Sequence, residues 1–526
     1  MARWIEAMQV EALPAQSMRR VEFEGVAVLL VNAGTESHAQ LHAFTADCPH
    51  AGAPLEQGAL CEGRIVCPWH KAAFALENGQ WLEPPALEGL KTYPVRVDAG
   101  AVFVDIEPAQ PDRAAPRDEK TARPETQRRI AIIGGGAAAA AAAATLLEGG
   151  FTGEVTMFAA EPQAPYDRTC LSKFVPSGEM KPGEVPAILP EALTGDSRLR
   201  IEHCEVTRFE APARRVTLAD GRQSSFDAVL IASGSAPLRP GIPGADLGRV
   251  FTLRTLGDAG GILEALSLGD PAVILGDSFI GLETASALRK RGVEVTVVAP
   301  SGLPLQRVLG ARVGGLMRDW HEAKGVVFRR AKAVRFEGHG NVESVELDDG
   351  RTVHAKAVIV GIGVRPATQF LSGIELDEDG GVPVDSTMRA APDVYAVGDI
   401  ARFTLDSMPD SPDSAEKTRI EHWRVAQQQA RIAALNLLGQ HVRYEGVPFF
   451  WTEHYDKRLD YLGHAADWDD MTISGRPGDE RFGVLYSRLG RLQAVLACGY
   501  EREMALLSVR MRERLSTDEA RAILGL

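Results

Sequence analysis

Two short runs near the N-terminus, Cys48-Pro49-His50 and Cys67-Pro68-Trp69-His70, constrain this chain more than any other feature of its 526 residues. Sixteen residues separate them. Thiolate and imidazole are both metal donors. Pro49 and Pro68 follow the two Cys and stiffen both loops by fixing φ.

Two Cys and two His in the order C-x-H then C-x-x-H are the ligand set of a Rieske [2Fe–2S] centre, in which two His replace two Cys on one iron. That order assigns Cys48 and Cys67 to one iron, and His50 and His70 to the other. Zinc takes the same donors, but its ligands usually come as C-x₂₋₄-C and H-x₃₋₅-H pairs rather than two mixed pairs. Trp69 reads as a packing residue that shields the cluster, and Cys61 as a small buried hydrophobe. The centre resembles the soluble, ferredoxin-like kind. High-potential Rieske proteins carry an extra Cys in each loop, and here Ala53 and Trp69 stand in those places.

At this length the chain divides into several domains. Residues 1–107 read as an all-β domain, with strand patterns at Val21 to Val31 and Ala101 to Ile106. Residues 108–128 hold Pro108, Pro111, Pro116 and Pro124 among many charges and read as a linker. A flexible stretch of this length reaches roughly 25 Å, so the first domain is either a tethered carrier or rigidly docked. At Arg129 the pattern becomes strand (Ile130 to Ile133), Gly-rich turn, Ala-rich helix (from Ala137) and strand (Val155 to Phe158). The same unit recurs as a strand at Ala272 to Leu275, a turn at Gly276 to Gly281, a helix at Leu282 to Arg291 and a strand at Val293 to Val298. The last segment, rich in aromatic residues, reads as a separate α+β cap whose aromatics form a homodimer surface or its own core.

Gly134, Gly136 and Ala139 fit G-x-G-x-x-G/A between a strand and a helix. The first Gly makes the turn, the second admits a pyrophosphate, and the small third residue allows close helix packing. Glu161, slightly late in spacing, is the candidate ribose acid. In the second unit Gly276 and Gly281 are kept, and Ser278 replaces the middle Gly at a small cost to phosphate approach. No acid ends the next strand. Arg307 either serves a 2′-phosphate or is a surface charge, so NADH and NADPH both stay open.

These features resemble the two-dinucleotide-binding flavoproteins of the pyridine nucleotide-disulfide oxidoreductase superfamily, in the branch of ferredoxin reductases and apoptosis-inducing factors. Pro165-Tyr166-Asp167-Arg168 with Leu171-Ser172-Lys173, Ile231 to Ser235, Gly361 to Pro366, Val394 to Asp399 and Glu421-His422-Trp423 carry the resemblance. With the Rieske motif, it narrows to members similar to apoptosis-inducing factor 3. It implies a multidomain fold: an all-β Rieske domain (1–107), α/β FAD-binding (129–247 and 366–440) and NAD(P)H-binding (248–365) Rossmann-like domains, and an α+β C-terminal domain (441–526). It implies FAD held by Gly134, Gly136, Ala139, Glu161, Arg168, Lys173, Ser233, Gly234, Asp399, His422 and Trp423. NAD(P)H would be held by Gly276, Ser278, Gly281 and Gly363. Lys173 and Glu283 would form an ion pair near flavin and nicotinamide, and Asp399 would hold the ribityl chain. NAD(P)H would then reduce FAD, and FAD would reduce the cluster, which passes electrons to an acceptor such as an oxygenase or another redox protein.

Two alternatives follow from the same residues. Cys170 stands alone, with Val175 where a disulfide reductase carries its second Cys, so a single-Cys peroxidase or CoA-disulfide reductase is one. A non-enzymatic NADH-sensing interaction protein is the other. A net charge of -14 opposes nucleic-acid binding. No apolar stretch is long enough to span a bilayer, and six Cys in a chain this long point to a reducing cytoplasm.

Overall fold

A computed structural model of the chain describes residues 3–106, 128–405 and 417–526. The expected linker falls almost wholly outside the described residues. The N-terminal domain is all-β, as expected. Its strands Ser17–Phe23, Val26–Asn32 and Leu41–Thr45 form one sheet, and Ala59–Cys61, Arg64–Val66, Ala73–Ala75 and Trp81–Glu83 form another. The apolar run from Val21 to Val31 is therefore two strands of a hairpin. Glu24 and Gly25 turn between them, both at positive φ, the backbone that a two-residue turn needs to match strand twist. Cys48 and Cys67 lie in loops closed by backbone bonds, Cys48 N to Ala53 O at 2.9 Å and Cys67 N to Ala72 O at 2.8 Å.

The first nucleotide domain is built on a six-stranded sheet. Strands Leu199–His203, Glu154–Ala159, Arg129–Ile133, Ala228–Ile231 and Val394–Ala396 run parallel, and Arg389–Ala391 is antiparallel at the edge. The strand at Val394 comes from beyond the second nucleotide domain, so this domain is discontinuous in sequence. Helix Ala137–Glu148 is buried through eleven of its twelve residues. Its run of alanines lets it approach the sheet and helix Trp423–Leu437 closely. The second domain repeats the plan with five parallel strands: Val250–Phe251, Ala357–Val360, Pro271–Leu275, Glu294–Ala299 and Val327–Arg330. The chain crosses between the domains twice, and the crossings pair antiparallel, Ser235 opposite Pro366.

Helix Phe279–Lys290 starts three residues before the expected Leu282. Ser278 caps it, its side chain accepting from Gly281 N. The C-terminal domain is α+β: a five-stranded antiparallel sheet under helices Glu501–Arg510 and Thr517–Leu524. No helix among the described residues is long and apolar enough to cross a membrane.

The N-terminal domain is docked, not free. Its apolar core is continuous with that of the first nucleotide domain, and Ala59, Val66 and Ala73 pack on Ala505 and Val509 of the C-terminal helix. Lys71, fully buried, ion-pairs with Asp460 of the C-terminal domain at 2.8 Å. Arg424 donates to the carbonyls of Pro84 and Lys71, both at 2.9 Å. Cys61 is half-buried in the same seam rather than enclosed.

Candidate active site and cluster loops

The two ligand loops meet tip to tip. His50 Nδ1 and His70 Nδ1 converge to 3.1 Å, and the buried Cys48 and Cys67 thiols are hydrogen-bonded neighbours. A pair of thiols and a pair of imidazole Nδ1 atoms fit the donor set of a [2Fe–2S] centre with mixed ligation, two sulfurs for one iron and two nitrogens for the other. Trp69 is only half-buried. Its carbonyl accepts from Arg458, whose guanidinium also lies 3.4 Å from His70 Nε2.

Behind His70 stands Trp451, its ring centroid 4.1 Å from the imidazole. The other side of Trp451 lines a long cleft. That cleft runs from Gly135 and Gly136 past Arg168, Ser233 and Gly234 to Asp399, His422, Trp423 and Phe450. Gly134 turns into it at φ 134°, where a Cβ would lie 2.1 Å from the carbonyl oxygen of Ala232. At Gly136 a Cβ would meet nothing nearer than Arg168 Nε at 3.9 Å, so open space lies over the helix N-terminus, as a pyrophosphate requires. His422 Nδ1 is buried against the cleft and has no partner among the described residues. Burial pushes its imidazole down to about 3, so a neutral ring faces the cleft. The residues present fit FAD. Asp399 is positioned by Ser235 Oγ at 2.7 Å and Arg254 at 3.2 Å.

Lys173 and Glu283 meet in the same cleft at 3.0 Å, with Ser172 donating to Glu283 at 2.6 Å. Glu283, Phe279 and Ile280 come from the helix that follows the second Gly turn, so the two nucleotide sites open into one space. Gly276 turns at φ 98°, its Cβ position 2.4 Å from Gly361 O. Ser278 Oγ folds back to Gly361 O at 3.1 Å, which keeps its side chain out of the phosphate path.

Several predicted residues stand outside the cleft lining. Gly134, Ala139, Gly276, Gly281 and Gly363 shape backbone around it. Glu161 lies two residues past its strand and accepts from Tyr166 OH at 2.6 Å and from Arg168. Arg307 is exposed and lines no part of the hollow beyond the second Gly turn. Arg318, Arg329, Arg330 and Arg351 line that hollow, with Asp277 and Ser301. Trp451 and Phe450 belong to the aromatic segment expected to form the cap, and both line the cleft. The alternation of strand Phe449–His454 carried that signal, but not which face met the cleft.

Cys170 is buried, and burial with the nearby Asp167 pushes its thiol up to about 12. A nucleophilic thiol needs the opposite shift. Cys170→Ser is therefore expected to leave NAD(P)H oxidation unchanged in steady-state assays. A large loss would restore the thiol mechanism.

The fold and cleft define a two-nucleotide oxidoreductase joined to an iron–sulfur carrier. Residues 128–430 match the family described as pyridine nucleotide-disulphide oxidoreductase, residues 3–94 the Rieske [2Fe-2S] domain, and 449–523 the reductase C-terminal family. The chain is 32% identical over 503 residues to apoptosis-inducing factor 3 of Homo sapiens, covering 94% of this chain and 81% of that protein. It is 34% identical over 391 residues to the ferredoxin–NAD(+) reductase component of the biphenyl dioxygenase system of Paraburkholderia xenovorans, covering 74% and 94%. The covalent putidaredoxin reductase–putidaredoxin complex is similar in structure, with TM-score 0.69, 26% identity and 74% and 94% coverage. The chain belongs to the pyridine nucleotide-disulphide oxidoreductase family and carries its own Rieske domain. It is an FAD-dependent NAD(P)H oxidoreductase with a [2Fe–2S] cluster.

Proposed function

We propose that this chain is a reductase whose internal route runs from NAD(P)H through FAD, past Trp451 and His70, to the [2Fe–2S] cluster, and from there to a separate redox protein such as an oxygenase component. The carrying observation is the 4.1 Å packing of Trp451, a cleft residue, on His70, a cluster ligand. When bound, FAD takes an electron pair from the nicotinamide and yields it one electron at a time, which suits a one-electron cluster. Gly136 and Arg168 would hold its pyrophosphate end over the turn that Gly134 makes, and Asp399 would hold the ribityl chain. Lys173 and Glu283 orient the reacting rings, and Phe450 with Trp451 excludes water from that end of the cleft. The domain limits at 107, 128, 247, 365 and 440 follow from the same reading. With Cys48 and Cys67 given to the cluster, the other four cysteines stand outside any disulfide, which supports a reducing, cytoplasmic setting.

The test is anaerobic reduction by NAD(P)H with flavin and Rieske absorbance followed together. Flavin bleaches first and the cluster follows. In Trp451→Ala, flavin reduction persists and cluster reduction slows at least about tenfold, ~1.4 kcal/mol in barrier. Cluster reduction at the parent rate in that variant would remove Trp451 from the route.

The coenzyme this site favours is NADPH. Ala299 ends the strand where an NADH-type acid would stand, and Arg330 sits opposite it in the sheet register. Neither Arg329 nor Arg330 has an ion-pair partner among the described residues, whereas Arg318 and Arg351 are paired with Glu322 and Asp349. A free guanidinium here suits a 2′-phosphate. Arg330→Ala is expected to lower kcat/KM for NADPH about tenfold, the value of one charged hydrogen bond, while NADH is unaffected. Equal losses for both coenzymes would contradict this.

A further inference from the structure

One face of the C-terminal sheet closes on the second ligand loop. Strands Phe449–His454 and Lys457–Gly463 pair antiparallel, with Trp451 opposite Asp460 and Glu453 opposite Arg458. Directly opposed residues share a face, as do alternate residues of one strand, so these four side chains stand on the same side of the hairpin. Trp451 packs on His70. Arg458 places one guanidinium nitrogen on the Trp69 carbonyl and another 3.4 Å from His70 Nε2. Its Nε donates to Asp460 Oδ1 at 2.8 Å, and Asp460 Oδ2 accepts from Lys71 Nζ at 2.8 Å. Lys71 also donates to the Pro68 carbonyl. Four consecutive residues, Pro68 to Lys71, are thereby tied into one ion-pair chain with the C-terminal domain.

The charges in that chain do not cancel. Arg458 and Lys71 are two cations on the single Asp460 carboxylate, so the chain keeps one net positive charge. Glu453 lies across from Arg458, but its carboxylate pairs with Lys290 at 3.9 Å. Lys173, a further cation near His70, is paired with Glu283 at 3.0 Å. Asp167 acts on His50 rather than His70. A neutral donor would serve the Trp69 carbonyl as well as a guanidinium does, so the hydrogen bond alone gives no reason for a cation at this place.

We propose that Arg458 raises the reduction potential of the docked cluster, its charge being held by Asp460 at the edge of His70 that faces away from His50. The proposal rests on the reading of His70 as a cluster ligand. An electron passed from reduced flavin adds one negative charge at the cluster, and a fixed cation beside a ligand favours that state. Arg458 is 27% exposed on its side chain, so solvent screens part of its field. Its effect is therefore about one decade in the equilibrium constant for reduction rather than several. The coupling is reciprocal: the factor by which this contact favours reduction is the factor by which reduction tightens the contact.

Spectroelectrochemical titration of the full holoprotein, read by the Rieske EPR signal, measures the potential without turnover. Arg458→Gln is expected to lower the equilibrium constant for cluster reduction about tenfold, a fall of about 59 mV for one electron. Arg458→Lys keeps the charge while losing the planar fork and should stay within about twofold of the parent. Asp460→Asn removes the compensating negative charge and should move the potential upward. Lost packing or lost docking would shift all three variants the same way, whereas charge separates them by sign. A parent potential in Arg458→Gln overturns the proposal, as does Arg458→Lys falling as far as Arg458→Gln, or Asp460→Asn falling. A parent chain without the Rieske signal would fail the ligand reading; a normal signal with an unmoved potential in Arg458→Gln would fail the role of Arg458 alone.

Discussion

Lys71→Met is expected to undock the Rieske domain and stop internal reduction of its cluster, while flavin reduction by NAD(P)H continues. Lys71 is fully buried at the seam, and its ammonium serves Asp460 Oδ2 and the Pro68 carbonyl, one residue after the ligand Cys67. Removing one member of a buried pair leaves the other desolvated and uncompensated, at a cost of about 3–5 kcal/mol. Asp460 keeps Arg458 on Oδ1 at 2.8 Å, so the loss falls toward the lower figure. The measurement is the rate of cluster reduction beside the rate of flavin bleaching, with hydrogen exchange at residues 67–71 reporting the seam. Lys71→Met combined with Asp460→Leu should regain much of the docking, because apolar pairs often replace buried ion pairs without loss. If Lys71→Met alone reduces its cluster at the parent rate, the seam does not depend on this pair.

Gly134→Ala is expected to give protein without flavin. The substitution imposes a left-handed φ on a residue with a side chain and drives its Cβ into the Ala232 carbonyl on the neighbouring strand's end. Strain and overpacking together cost roughly 2–5 kcal/mol. Flavin content of the purified protein and its thermal midpoint should both fall. Gly136→Ala separates the two effects. Its Cβ meets only open space, so the apoprotein should keep its stability while FAD affinity drops, because the methyl occupies the cradle. Full flavin occupancy in Gly134→Ala would contradict the turn's role.

These two residues also mark what was legible in the sequence. Gly134 acts within its own strand–turn–helix unit, and a local pattern reveals it. The same holds for Gly276 and for Cys48, His50, Cys67 and His70, whose spacing is the ground for proposing them as the cluster ligands. Lys71 acts on Asp460, 389 positions away, and nothing near either residue announces the other. Lys173 and Glu283 are 110 apart, and in the sequence only the family resemblance pairs them. Arg307 follows the right strand in sequence, whereas Arg330 reaches the same end of the sheet from the next strand over. Trp451 was visible as an aromatic residue in a strand, but strand alternation does not say which partner each face meets. Local turns and ligand spacings are written in short stretches. Seams and long buried hydrogen-bond chains are decided by which surfaces meet.

The docked Rieske domain also fixes the kinetic order of the reaction. In a two-component system, cluster reduction depends on encounter, so it slows on dilution and, where charges steer it, with added salt. Here donor and first acceptor share one polypeptide and are already in contact through a buried seam. Their electron transfer is first order, independent of protein concentration and nearly indifferent to ionic strength, and the two are always made in equal amounts. Concentration re-enters only at the next step, where the reduced chain meets its acceptor.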